Sequence, residues 1–522
     1  MAENKYFQHG VASGDPLPSA VVLWTRITPT AESLPGSGKG PTANLTWQVS
    51  ASTAFRSTVK KGTVSATASR DHTIKFDVTG LKSSSTYYFR FRYKGVDSPT
   101  GRIRTAPAET ASPSKLRFGV VSCANYQAGY FSAYRHLAAR SLDAVIHMGD
   151  YIYEYGDGEY GYGQDDKVIR PLQPSHEIKT LKDYRQRHAL YKTDPDLQKL
   201  HAVAPFICTW DDHESANDAY ADGAENHDPA TEGHWLKRRA AAYRAYDEWM
   251  PVRMSGTTKV GDGSQIYRRL RFGTLAELSM LDLRTYRTAM GGTFAPPVPD
   301  PDAKERQIAG DQQLGWLESG LKSSGSQWKL VGNPVMIAPV LIPPLPTEIR
   351  EAIIDTEGLL PVDGVQYNTD QWDGYTRERR NLLEFIADHG IQDTVFLTGD
   401  IHSAWACDIP MNPGTYPLST TVATELVCTS VTSNNLKDIT GTPARTTSVA
   451  VENLIKGVNR HVRYLDFDNH GYSVLEVTPA KAQMDWYVIS DRADKSATVK
   501  HSTSWAVPAT SQRVEQASKP IG

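Results

Sequence analysis

The sequence predicts an α/β (α+β) protein in two unequal parts: a small all-β N-terminal domain, then a large domain in which strands alternate with helices. Three observations predict it. The first hundred residues carry short apolar and aromatic runs between Gly, Pro and Ser turns. A stretch of linker composition follows, Thr105-Ala-Pro-Ala-Glu-Thr-Ala-Ser-Pro-Ser114. Beyond it, strand-length apolar runs are separated by longer amphipathic stretches.

In the first part, residues 20–27 are a β-branched apolar run around Trp24, and 45–50 and 73–78 alternate apolar with polar residues. Residues 86–93 alternate with Tyr88, Phe89, Phe91 and Tyr93. Short strands with this spacing predict a β-sandwich over residues 1–110. In the second part, 116–122, 144–148 and 206–210 read as buried strands, and 130–140 has helical periodicity. Residues 235–250, 312–323 and 376–389 read as amphipathic helices, the last stopped by Gly390. Strands are expected at 328–331 and 395–398, and antiparallel ones at 462–467, 472–477 and 484–489. The large domain is thus placed at 115–505, with 506–522 as a C-terminal tail.

Composition narrows the function classes. The net charge of -3 gives no reason to expect a nucleic-acid partner. No apolar run reaches the length of a membrane span. The N-terminal Met-Ala-Glu-Asn-Lys has no apolar signal core, so the chain is either cytosolic or a mature form. Four cysteines do not make a disulfide scaffold; Cys407 and Cys428 either pair or stay as buried thiols.

The chemistry sits directly after the strands. The first runs into Cys123-Ala-Asn125, the second into Gly149-Asp150-Tyr-Ile-Tyr153, and the third into Asp211-Asp212-His213-Glu214. Two more end in Gly332-Asn333 and Gly399-Asp400-Ile401-His402. In an open α/β sheet the carboxyl ends of strands line the ligand crevice, so these side chains should converge. Ligand types separate into two sets. Cys123, Asp150, Tyr153 and His402 offer thiolate, carboxylate, phenolate and imidazole, which suits a transition metal and especially Fe3+. Asp150, Asp212, Asn333 and Asp400 offer only oxygen, which suits a hard cation such as Ca2+. Zn2+ or Mn2+ are the alternatives. Two cations sharing Asp150 would clamp a phosphoryl group and activate the attacking water. His213 is expected to touch the phosphate or protonate the leaving oxygen, unless it only orients its neighbours. Asn125 either faces the metals or caps a turn. Arg26, Arg284 and Arg287 are phosphate-binding candidates, with ion pairs to Asp15, Asp282 or other neighbours as the competing reading.

These ordered motifs resemble the PhoD-like alkaline phosphatases of the metallophosphoesterase superfamily. The resemblance also takes in Gly10-Val-Ala-Ser-Gly-Asp-Pro16, Leu23-Trp-Thr-Arg-Ile27, Leu281-Asp-Leu-Arg-Thr-Tyr-Arg287 and Gln371-Trp-Asp-Gly-Tyr375. It implies a fibronectin III-like sandwich before an αββα catalytic domain, an iron and calcium pair, and export by the twin-arginine route. Among the family, the chain is most similar to a secreted actinomycete phospholipase D. The implied function is hydrolysis of phosphodiesters, releasing the head-group alcohol and phosphatidate, by a monomer. A broad alkaline phosphatase scavenging phosphate is the alternative, and a non-catalytic cell-wall-binding protein is the rival of another class. The apolar loop 336–346 would give transient membrane contact through Val340, Leu341, Ile342 and Leu345, unless it packs on the sheet.

Overall fold

The computed structural model describes residues 5–254, 265–290, 300–342 and 365–522. Two large sheets stack face to face. One has seven strands, in the order Arg268–Phe272, Ala276–Met280, Trp328–Asn333, Thr394–Thr398, Thr421–Val427, Ala404–Pro410 and Val462–Asp466. The other has ten, with Leu116–Val121, Ala144–His147 and Phe206–Cys208 as parallel neighbours at its middle. Side-chain alternation explains why the sheets face each other. Phe118, Val120, Ile146 and Ile207 meet Leu278, Leu330, Val395 and Leu397 in one apolar layer. The intervening residues turn outward. Val145, Phe206 and Cys208 pack beneath Leu181–Lys192, Pro195–Val203 and Trp235–Trp249, while Val331 and Phe396 pack beneath Asp311–Ser323 and Thr376–Asp388. The result is the α/β, αββα architecture expected.

The N-terminal strands are woven into this core. Lys60–Ala66, Ala43–Ser50, Thr86–Tyr93, Val96–Asp97 and Gly101–Arg104 form a separate five-stranded sheet. Its apolar face, with Leu45, Val49, Phe89 and Phe91, packs on Val11, Val21, Leu23 and Ile74. Those last residues lie in strands that continue the ten-stranded sheet, because Gly14 pairs in parallel with Phe206. One sheet of the sandwich is therefore an extension of the catalytic sheet.

One expectation is corrected here, and one open alternative is decided. Residues 506–522 are not a tail: Val499–Pro508 and Glu515–Gln516 close one edge of the ten-stranded sheet, and Val514 is buried. Cys407 and Cys428 do not pair; all four cysteines are free and buried.

Candidate active site

Parallel pairing sets the site. Strands running the same way deliver their carboxyl ends to one edge, and the loops leaving that edge carry the polar residues. The turns are tight: Cys123, Asp150, Asp400 and His402 all have φ between 52° and 60°, the left-handed region that costs a side-chain-bearing residue free energy. Gly149 precedes Asp150 with φ 107°, and a Cβ there would lie 2.5 Å from Asp211 Cβ. Only glycine lets these two loops approach.

Among the described residues three groups of potential ligand atoms follow, each with all atoms within 4.8 Å of one another: Cys123, Asp150 and His402; Asp150, Asp212 and His213; Asp211, Asp212 and Asp400. Asp150 belongs to two groups and Asp212 to two, so they form one chain of adjoining sites. Tyr153 completes the first, donating to Asp150 Oδ2 at 2.9 Å with its oxygen 3.4 Å from His402 Nε2. His402 Nδ1 lies 2.8 Å from the Asn434 carbonyl, which leaves Nε2 to face the cluster. Above these groups opens a cleft of about 380 Å³, walled by Tyr155, Tyr160, Asn217, Asp218 and Asp370.

The residues present fit bound cations. Asp150 Oδ1 and Asp211 Oδ2 are buried without a hydrogen-bond partner. Burial first, and then the Asp150 charge, push the Cys123 thiol and the Tyr153 phenol well above their ordinary values. Burial, with Asp212, Asp211 and Glu214 nearby, pushes Asp150 up as well. A cation among them would reverse the balance by stabilising all three charged donors together. His402 is already neutral, held near 3 by burial and by His213.

His213 lies in the cleft with Nδ1 2.7 Å from Glu154 Oε2 and its ring 4.1 Å from that of Tyr153. Burial disfavours its charge, but Asp212, Glu154 and Asp150 outweigh burial and raise its pKa well above 6.5. Glu154 is fixed in turn by Asn217 N and Asn226 Nδ2. Cations on Asp150 and Asp212 would offset their part of the rise, leaving Glu154 as the constant partner.

The other candidates divide between the site and the rest of the fold. Asn333 Oδ1 accepts from Trp372 Nε1 at 2.9 Å and its Nδ2 donates to the Val335 carbonyl at 2.5 Å, which orients the amide and leaves its oxygen a second lone pair. Asp211 joins Asp212 and Asp400 as a further carboxylate that the sequence alone does not assign. Asn125 is a turn cap, accepting from Gln127 N and donating to the Tyr160 carbonyl. Arg26 is fully buried in the N-terminal region, held by the Asp71 and Ser33 carbonyls and by Thr28, and is no phosphate ligand. Arg284 pairs with Asp211, binds Asp370 through both arms at 2.8 and 2.9 Å, and reaches Asp400 at 3.3 Å. Arg287 also pairs with Asp370. Val340 and Leu341 are buried rather than offered to a membrane, and Leu345 and the Ile342 side chain lie outside the described residues.

One residue with no expected role braces the whole site. Glu214, fully buried, accepts from the backbone N–H groups of Asp150, Tyr151 and Asp211 at 3.1, 2.5 and 2.7 Å. It ties the second strand's loop to the third's.

An αββα core with a chain of carboxylate, imidazole, thiol and phenol ligands at its strand ends defines a metal-dependent phosphoester hydrolase. Comparison with known proteins agrees. The family described as PhoD-like phosphatase matches residues 118–486, and its N-terminal domain matches residues 1–107. Alkaline phosphatase D of Bacillus subtilis (strain 168) is 36% identical over 486 residues, covering 92% of this chain and 77% of that protein. A solved structure of PhoD superposes with a TM-score of 0.86 at 32% identity, covering 99% of this chain and 93% of that one. The chain belongs to the PhoD-like phosphatase family and is a phosphoric ester hydrolase.

Proposed function

We propose that the chain hydrolyses phosphodiesters, with a phospholipid as substrate and phospholipase D cleavage as the reaction. The observation that carries the diester is the wall of the cleft: Tyr155, Tyr160, Met290 and Ile401 line it beside the aspartates. A diester carries a second organic group that such aromatic and apolar side chains can hold, and a monoester has none to offer them. The choice of phospholipid, and action outside the cell, rest on the sequence resemblance.

In this reading, Cys123, Asp150, Tyr153 and His402 hold Fe3+, and Asp150, Asp212, Asn333 and Asp400 hold Ca2+ with Asp211 beside them, Zn2+ or Mn2+ being the alternatives. Such cations supply Lewis-acid stabilisation of the phosphoryl charge and acidify water. The chain's own part is positional and protonic. Glu214 and Gly149 fix the two loops on which Asp150 and Asp211 sit. Water adds to phosphorus and gives up one proton, the P–O bond to the head-group alcohol breaks, and His213, kept protonated by Glu154, gives that oxygen its proton; the proton released by the water restores His213.

The second reading is a phosphomonoesterase, favoured by the alkaline phosphatase name of the Bacillus relative. Purified enzyme assayed on a mono- and a diester of one leaving group, and on phosphatidylcholine vesicles, separates the two. The proposal expects higher kcat/KM on the diester, with free choline from the vesicles. A monoester preference without choline release overturns it.

A further inference from the structure

We infer that Ser433 is a positioning residue for the Tyr153 oxygen, and that the loop 430–435 acts through it and Asn434 as a clamp on two ligands of the mixed-donor site. This rests on the reading above that Tyr153 and His402 ligate one cation.

The Tyr153 oxygen has two polar sides. On one, it donates to Asp150 Oδ2 at 2.9 Å and faces His402 Nε2 at 3.4 Å; a cation shared with Asp150 and His402 belongs on that side. On the other, Ser433 Oγ donates to it at 2.6 Å. A hydroxyl donor there suits the tyrosine oxygen with or without its proton, since the oxygen has an acceptor lone pair in both forms. The donor therefore fixes the ring's oxygen before a cation arrives and keeps a hydrogen bond on it afterwards. Ser433 Oγ also lies 3.0 Å from the Cys123 carbonyl, and the Ser433 N–H donates to the same carbonyl at 3.2 Å. The serine thus registers the tyrosine against the cysteine's backbone.

The neighbouring residue does the same for the imidazole, because the Asn434 carbonyl lies 2.8 Å from His402 Nδ1 and sets which ring nitrogen is free. The loop is held from behind. Ser430 Oγ donates to the Ser433 carbonyl at 2.8 Å, and Arg492 binds the Thr432 carbonyl and Asn434 Oδ1. Asp438 fixes Arg492 at 3.0 Å. Every side chain in this support is buried, so the clamp is shielded from bulk solvent.

The test uses the full chain as purified, with Ser433→Ala, Ser433→Thr as the hydroxyl-keeping rescue, and Ser132→Ala as control. Ser132 has a buried hydroxyl without a partner and lies outside the site. Two readouts are taken: the visible tyrosine-to-iron charge-transfer band, and the metal retained after dialysis against a chelator. Losing a donor to the tyrosine oxygen makes that oxygen more electron-rich. Ser433→Ala should shift the band to longer wavelength and weaken metal retention roughly 10- to 100-fold. Ser433→Thr should restore both, and Ser132→Ala should change neither. An unchanged band and retention in Ser433→Ala overturns the assignment alone. A wild-type protein with no tyrosine-to-metal band overturns the ligand reading beneath it and the assignment together.

Discussion

Replacing Glu214 by Gln tests whether the site is built by backbone pinning. The Glu214 carboxylate takes three main-chain N–H groups, two on Oε2 and one on Oε1. A glutamine of nearly the same volume can keep its amide oxygen at the Oε2 position and hold Asp150 and Asp211. Its NH2 group then faces the Tyr151 N–H, donor against donor, in a buried place. One buried N–H left unsatisfied costs about 1–3 kcal/mol, so Glu214→Gln should lose about that much stability. Alanine strands all three donors, and with partial relaxation the loss is roughly 3–6 kcal/mol, a large share of the total for a typical protein. The glutamine variant is therefore the informative one. Its urea midpoint followed by circular dichroism measures the loss, and elemental analysis shows whether the displaced Asp150 still binds metal. A glutamine variant within about 0.5 kcal/mol of wild type, with full metal content and activity, would refute the pinning argument.

Three further outcomes follow from the same geometry. His213→Asn should lower kcat by about 10²- to 10⁴-fold with a small change in melting temperature; the loss should shrink on esters of p-nitrophenol, whose leaving oxygen needs no proton, and an equal loss on both ester types would reassign His213 to phosphate contact. Removal of metal by a chelator should abolish activity and also lower the melting temperature, because the buried Asp150, Asp211 and Asp212 and the partly exposed Asp400 beside them then repel one another; unaltered melting would mean that no cation holds them. Arg26→Ala should cost about 3–5 kcal/mol by leaving buried Asp71 uncompensated, while kcat/KM of the folded fraction stays at the wild-type value.

Much of this site is legible in the chain. Gly-Asp and Gly-Asp-x-His directly after apolar runs place Asp150, Asp400 and His402 at strand ends, and parallel pairing then brings them together whatever their separation in sequence. What the chain hides is which neighbour within a motif points inward. Asp211, Asp212, His213 and Glu214 are consecutive polar residues; only the turn that closes when Ser215 and Ala216 bond back to the Asp212 carbonyl decides their directions. It sends Asp212 to the cleft and Glu214 backward to the main chain. The indole that orients Asn333 is hidden differently: Trp372 lies far along the sequence. The helix Leu181–Lys192 carries no clear apolar stripe, because the side chains it buries include Arg187 and His188 beside Tyr184 and Tyr191. The fusion of the N-terminal strands with the catalytic sheet depends on one parallel pairing, Gly14 with Phe206, that no local pattern announces.

Metal content per chain, compared between wild type, Cys123→Ala and Asp150→Ala, bears most directly on the adjoining sites. Two ions in the wild type, one after loss of the thiol and none after loss of the aspartate would show that Asp150 is common to both. Unchanged metal content in Asp150→Ala would contradict that arrangement outright.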